Sequence, residues 1–439
     1  MTARSSHWMQ RAIAASLLAL AWVTCAYGQI ERGTVALVNA RIVTVTKGII
    51  ERGTIIIRDD RIHAVGSSLV VPDSVVVVDC SGLTVYPGFI DGGTQIGLVE
   101  IGSLPETRDE NEIGEITPHM YALTAVNPNS ATIPVTRVSG VTTVLTMPTG
   151  GLLPGTAAMI DLVGYTPKQM YAGFNAVLLT FPATVQRRGR RQRAESGSDS
   201  AAQRARARLD EIFDRAVLMS RLDSTTGGRE RSDHSREYVP EIAALTPVVR
   251  RELPLLIEVN GSQDIDSAIA WVRRRNIRAI FAGVAEGWRV ADHLADADIP
   301  CIVGPILSLP NRPSDRYDKP YANAGLLHQA GVRLCIRSNE TSNARNLPFH
   351  AGFAAAYGLG RDAALRSITI DAAEIFGIDR EVGSIEEGKL ANLFVADGDP
   401  FEPSTSVLHV FIRGYRVPME SRHIDLYHEF LDRKPGLSR

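Results

Sequence analysis

Five carboxylates have the chemistry for acid–base work or for holding a cation: Asp91, Glu100, Glu258, Glu286 and Glu340. Asp91 closes an apolar run and is followed by Gly92-Gly93, so it reads either as a reactive group or as an acceptor for the amides of its own turn. Glu258 lies inside Leu255-Leu256-Ile257-Glu258-Val259-Asn260. It can bind a cation or move a proton, or it can be satisfied by an arginine such as Arg337. Histidines after His7 stand at 63, 119, 234, 293, 328, 350, 409, 423 and 428, with no His-x-His and no pair on one helix face. His350, at a helix start after Asn346-Leu347-Pro348-Phe349, and His119 are the two with some reach toward a site. The turn Thr149-Gly150-Gly151-Leu152-Leu153-Pro154-Gly155 can offer the amides of Gly150 and Gly151 to an anion, or simply turn the chain. No Gly-x-Ser-x-Gly, P-loop, zincin or dinucleotide pattern supplies another chemistry.

Those residues need strands and loops to position them. Residues 34 to 80 carry short β-type runs, such as Arg41-Ile42-Val43-Thr44-Val45 and Thr54-Ile55-Ile56-Ile57, separated by turn signals. From about residue 141 onward, β-type runs alternate with helical ones, the pattern of parallel β/α units. The strands are expected at 141–147, 175–181, 254–259, 278–282, 300–303 and 332–336, and helices at 264–274, 290–297, 321–330, 348–357 and 361–368. Spacings of about 20 to 30 residues fit a TIM-type barrel; a doubly wound open sheet is the alternative.

Two stretches at opposite ends of this pattern carry a family resemblance. Tyr86-Pro87-Gly88-Phe89-Ile90-Asp91-Gly92-Gly93-Thr94-Gln95 resembles the first barrel strand of the metal-dependent amidohydrolase superfamily, which includes imidazolonepropionases and dihydroorotases. Gly383-Ser384-Ile385-Glu386-Glu387-Gly388-Lys389-Leu390-Ala391-Asn392-Leu393-Phe394-Val395 resembles its C-terminal signature, with Asn392 where the family usually has Asp. The resemblance implies an α/β fold: an amidohydrolase-type TIM (β/α)8 barrel with a small β-sandwich built from both chain ends. It also implies hydrolysis of C–N bonds in amides, cyclic amides or dipeptide-like substrates, with zinc or another divalent metal.

The family's ligand positions are substituted here. Its His-x-His pair falls on Gly93 and Gln95. Glu258 stands where a histidine belongs, Ala282 or Gly283 where the next one does, and Asn339 replaces an aspartate that serves as ligand and base. The resulting expectation is no metal ligand set and no cofactor. The catalytic candidates are Asp91, Glu258, Asn339 and His350; the candidate ligand contacts are Gln95, Gly150, Gly151 and Glu340. The expected protein is a degenerate, catalytically impaired member retained for binding or assembly. The alternatives are an active C–N hydrolase with a displaced or metal-independent site, and a periplasmic ligand-binding module.

Residues 1–28 read as a secretory signal, with Arg4 and Arg11 before an apolar run and Ala26-Tyr27-Gly28 as cleavage site, implying a periplasmic or secreted protein. A lipid anchor at Cys25 competes with that reading. The expected divisions are then 29–85 (sandwich), 86–380 (barrel), 381–420 (sandwich) and a tail at 421–439. An arginine-rich insertion at 186–236, with one amphipathic helix from Ala201 to Arg221, interrupts the barrel. Poor order is expected at 187–200. The remaining thiols, Cys80, Cys301 and Cys335, lack metal spacing and read as buried. A net charge of -2, with 44% hydrophobic and 22% charged residues, gives no reason to expect nucleic acid or a membrane anchor. The expected partners are a small amide-like ligand and either a second copy or an active relative.

Overall fold

Two sheets make up the frame of the computed structural model, which describes residues 33–183, 197–225 and 239–433, and Asp91 lies in the second of them. The signal segment 1–28 and most of the stretch expected to be poorly ordered, residues 187–196, lie outside the described residues. The first sheet draws strands from both ends of the chain: β1 (Thr34–Val43), β2 (Ile49–Arg58), β3 (Arg61–Gly66), β4 (Val76–Asp79) and β5 (Thr84–Pro87) from the start. The second sheet comprises β6 (Phe89–Thr94), β7 (Val141–Thr146), β8 (Gly155–Asp161), β9 (Tyr171–Thr180), β10 (Leu255–Val259), β11 (Ala279–Gly283), β12 (Cys301–Val303) and β13 (Leu334–Ile336). The first sheet is completed by β14 (Leu393–Ala396), β15 (Val407–Ile412) and β16 (Tyr415–Val417), in the order β16-β15-β14-β5-β1-β2-β3 with β4 beside β1. The join between the chain ends is the β5–β14 pair, with Phe394 opposite Tyr86.

The second sheet runs from β6 to β13 in chain order and nearly closes. Beyond β13 the amide of Asn339 donates to the carbonyl of Gly93 at 3.0 Å, and that of Ser338 to Asp91 Oδ1 at 3.0 Å. β6, β7 and β11 are buried along their whole length, as strands covered on both faces must be. This is the expected barrel, with one feature the sequence patterns did not assign. β8 pairs antiparallel with both β7 and β9. The link from β7 to β8 is too short for a helical crossover, which takes about a dozen residues or more, so the chain turns straight back.

β8 also explains Asn392. Its last residue, Asp161, is buried; Asp161 Oδ2 receives Arg413 Nε at 2.5 Å, and Oδ1 receives Asn392 Nδ2 at 3.0 Å. Asn392 Oδ1 in turn accepts the amide of Arg413 at 2.7 Å. An aspartate at 392 would set a second carboxylate against Asp161 in a dry site, an arrangement that forces one of them to stay protonated. The amide ties barrel to sheet without that conflict.

The amphipathic helix expected at Ala201–Arg221 spans Gly197–Thr225 and buries Leu209, Ile212, Phe213 and Ala216. Phe213 meets Trp271 edge-on at 5.0 Å, and Arg275 pairs with Asp210 at 2.5 Å. Cys80, Cys301 and Cys335 are free and buried.

Candidate functional site

A barrel of this kind presents its loops at the C-terminal ends of its parallel strands. A cleft of about 860 Å³ opens there, over the ends of β10 to β13. Glu258, Gly283 and Asn339 line it together with Arg337, Asn260 and the loop from Gly304 to Tyr317.

Its floor is an ion pair. Arg337 Nη1 and Nη2 donate to Glu258 Oε2 and Oε1 at 2.7 and 2.8 Å, and Nε donates to the carbonyl of Gly304 at 3.2 Å. The Arg337 side chain is 2% exposed and that of Glu258 26%. This two-pronged geometry is the strong form of the contact. Asn260 Nδ2 adds a donor to Glu258 Oε1 at 3.2 Å.

Two glycines make room for the pair. A Cβ on Gly93 would come within 3.1 Å of Arg337 Cδ and 2.7 Å of Met147 Sδ. On Gly283 (φ +84°) it would stand 2.7 Å from Glu258 Oε1 and 2.4 Å from Asn260 Oδ1. Gly93 thus leaves room for Met147 and the stem of Arg337, and Gly283 for Asn260 and the Glu258 carboxylate.

Asp91 lies beneath this floor, wholly buried. Its Oδ1 accepts the amides of Gly93 (3.1 Å) and Ser338 (3.0 Å), while Oδ2 has no hydrogen-bond partner. Burial pushes its carboxyl up to about 7, against the pull of those donors and of Arg337.

The loop over the cleft is fixed from two sides. Glu286, buried, accepts the amide of Ser262 (3.0 Å), Asn311 Nδ2 (2.8 Å) and Arg312 Nε (2.6 Å). Burial alone would raise Glu286, but the Arg312 guanidinium and these donors hold it down at about 2. On the other side His350 Nδ1 accepts the amides of Ile306 (3.1 Å) and Leu307 (3.4 Å). Burial lowers that imidazole to about 4, so it is neutral and its Nδ1 is committed to the loop backbone.

The remaining predicted residues lie elsewhere. Gln95 is half-buried in the turn after β6 and is outside the cleft lining; Glu340 is exposed past Asn339. Gly150 (φ +86°) and Gly151 (φ +68°) pack on the 111–115 segment, where a Cβ would meet Asn111 Oδ1 at 2.2 Å and the Glu115 carbonyl at 2.8 Å. Their flanking amides, from Thr149 and Leu152, are spent on Glu110 and Glu115 carbonyls. His119 is exposed. The structure therefore brings Glu258, Asn339 and Gly283 together, sets Asp91 and Gly93 below them, and leaves Gln95, Glu340, Gly150 and Gly151 outside. Sequence reading missed Asn260, Asn311 and Arg312 as cleft residues. The Pro-Asn-Arg-Pro run at 310–313 after a strand was the available signal.

A catalytic zinc needs three protein donors and an open position. The positions to which the resemblance assigns them carry Gly93, Glu258, Gly283 and Asn339, and a guanidinium stands among them. Glu258 has both oxygens turned to that cation. Among the described residues no three His, Cys, Asp or Glu side chains come together as a metal site. The donors present do not fit the metal that the resemblance implies.

Residues 295–417 match the model of the Amidohydrolase family. Among curated proteins, Amidohydrolase tasK of Hapsidospora irregularis is 23% identical over 372 residues, which cover 78% of this chain and 37% of that protein. The chain thus spans little more than a third of that relative. Among solved structures, an amidohydrolase from Thermotoga maritima MSB8 aligns at 22% identity with a TM-score of 0.75, covering 87% of this chain and 99% of that one. A prolidase complexed with N-methylphosphonate-L-proline aligns at 17% and 0.53, covering 88% and 99%. At such identities the solved structures speak to the fold alone.

Proposed function

We propose that this chain, which carries an amidohydrolase-family domain on the superfamily's barrel, binds a small amide-like ligand in its mouth and does not hydrolyse it. The family's reaction is hydrolysis of C–N bonds. That reaction needs a water made nucleophilic beside a polarised carbonyl. The observation that carries the proposal is the Arg337–Glu258 pair. It commits the carboxylate at the centre of the mouth to a permanent cation, so Glu258 is not free to take a proton from water. Asn339, in the general-base position, is neutral. Asp91 is sealed under the floor, and His350 spends its Nδ1 on loop amides. What remains is a shaped cleft with fixed walls, suited to holding a ligand in one orientation.

The test uses the purified full-length protein. Thermal unfolding is followed with a panel of cyclic dipeptides, blocked amino-acid amides and free dipeptides, and the same mixtures are assayed for hydrolysis by mass spectrometry. Stabilisation without turnover is expected. Turnover that survives a chelator would overturn the proposal. So would about one zinc per chain by elemental analysis after dialysis, lost in Glu258→Ala.

A further inference from the structure

We infer that the cleft takes an extended, uncharged peptide segment, whose apolar side chains leave the mouth over a row of exposed aromatic rings. This rests on the reading of the mouth as a binding site and names what enters it.

The charge of the ligand follows from the walls. Four charged residues line the cleft, and each is already paired: Glu258 with Arg337, Arg312 with Glu286 at 2.5 Å, and Asp315 with Arg289. A ligand carrying a free ammonium or carboxylate would bring an uncompensated charge into a partly desolvated site, which is costly. A free dipeptide is therefore a poor fit, whereas an internal stretch of chain is a good one. The Asn339 side chain lines the cleft with no hydrogen-bond partner among the described residues. Its amide offers donors and an acceptor together, and a peptide unit presents one of each in return.

The length follows from what lies outside. Leu309, on the loop that forms the cleft wall, is 90% exposed. Tyr317, also in the lining, is 70% exposed and lies close to Tyr357. From there the rings continue: Tyr357 to Tyr321 at 5.1 Å between centroids, and Tyr321 to Phe353 at 5.5 Å. Tyr357 and Phe353 are exposed as well. Tyr357 sits at a kink between two helices, within Ala355–Leu359, where its own backbone leaves the helical region and Gly358 takes φ +113°. The helix behind it, Lys319–Gln329, holds the kink in place: a Cβ on Gly325 would meet the Gly358 backbone at 2.6 Å. A fixed, uncharged aromatic row that starts inside a cleft wall continues the same site. Rows of this kind hold prolines and apolar side chains of extended peptides.

The test measures calorimetric affinities of three probes for the full chain. They are N-acetyl-prolinamide, a pool of N-acetylated and C-amidated pentapeptides containing Pro and Phe, and a linear oligosaccharide. Each is also run against Tyr357→Ser and Phe353→Ser. The pentapeptides are expected to bind at least tenfold tighter than the single amide. Both variants should lose about that tenfold while binding the single amide as the wild type does. Equal affinity for pentapeptides and single amide, or no loss in either variant, refutes the aromatic extension and leaves the mouth reading standing. Oligosaccharide binding that is lost in the variants, with no peptide binding, overturns the peptide assignment. Binding of no probe at all overturns the mouth reading together with this one.

Discussion

Replacing Arg337 by methionine tests the floor of the cleft directly. Methionine keeps much of the apolar stem and removes the charge and the N–H donors. Glu258 then keeps its position without the cation it faces in two bonds, and the carbonyl of Gly304 loses a donor. Removing one member of a buried pair costs about 3–5 kcal/mol. Glu258 is 26% exposed, so water screens part of its charge and the cost falls near the lower figure, about 3 kcal/mol. The lost bond to Gly304 adds about 1 kcal/mol. Glu258→Met is the harsher single change, because Arg337 at 2% exposure has no water to turn to; about 5 kcal/mol is expected. The double variant Arg337→Met/Glu258→Met removes both charges together, and such swaps are often near neutral. Urea titrations of the four proteins at pH 7, with and without a chelator, give the coupling. The expected double-variant loss is several kcal/mol smaller than the sum of the singles, where independent sites would add to within about 0.5 kcal/mol. Additive losses, or an Arg337→Met cost under about 1 kcal/mol, would show that the pair is incidental to the mouth.

Asp91, held near 7 by burial, makes the native state bind a proton that the unfolded chain releases near pH 4. Stability should therefore fall as pH rises from about 4 to about 7 and level off above. Asp91→Asn should abolish that slope, so its urea midpoint gains on the wild type as pH approaches 7; parallel curves would contradict the burial argument. Glu286, held at about 2, contributes stability that is present above about pH 4.5 and is lost as pH falls toward 2. Glu286→Gln removes the charge behind its Arg312 bonds, at a cost of about 1–3 kcal/mol. It should speed amide exchange in residues 304–318 ahead of the barrel strands, and unchanged exchange there would mean the loop is fixed by other contacts.

The barrel was legible because its strands are short apolar runs bounded by turn residues, with Pro87-Gly88 and Gly383 marking the first strand and the return to the other sheet. β8 was not. Gly155-Thr156-Ala157-Ala158-Met159-Ile160-Asp161 has few β-branched residues, and its strand character comes from the pairing on either side rather than from propensity. At the site, the side chain at each strand end could be read position by position, and Arg337 could be named as a partner for Glu258. Its burial could not. Two residues 79 apart in the chain meet through barrel closure, and no local pattern records that Gly93 and Gly283 leave room for them. His350 shows the converse: a helix-start histidine is visible in sequence, but its bonds to Ile306 and Leu307 depend on how a distant loop packs.

The sheet built from both chain ends sets a timetable for folding. β5 has β1 on one side, but its other edge waits for β14, and the Arg61–Glu381 ion pair spans 320 residues. A chain delivered N-terminus first at about 5–20 residues per second leaves that edge open for on the order of 15–60 s. For that interval Thr84–Pro87 is an unpaired strand in search of a neighbour, the kind of edge through which chains join one another. Any machinery that handles this protein before its last fifty residues arrive must shield those four residues from another copy of themselves.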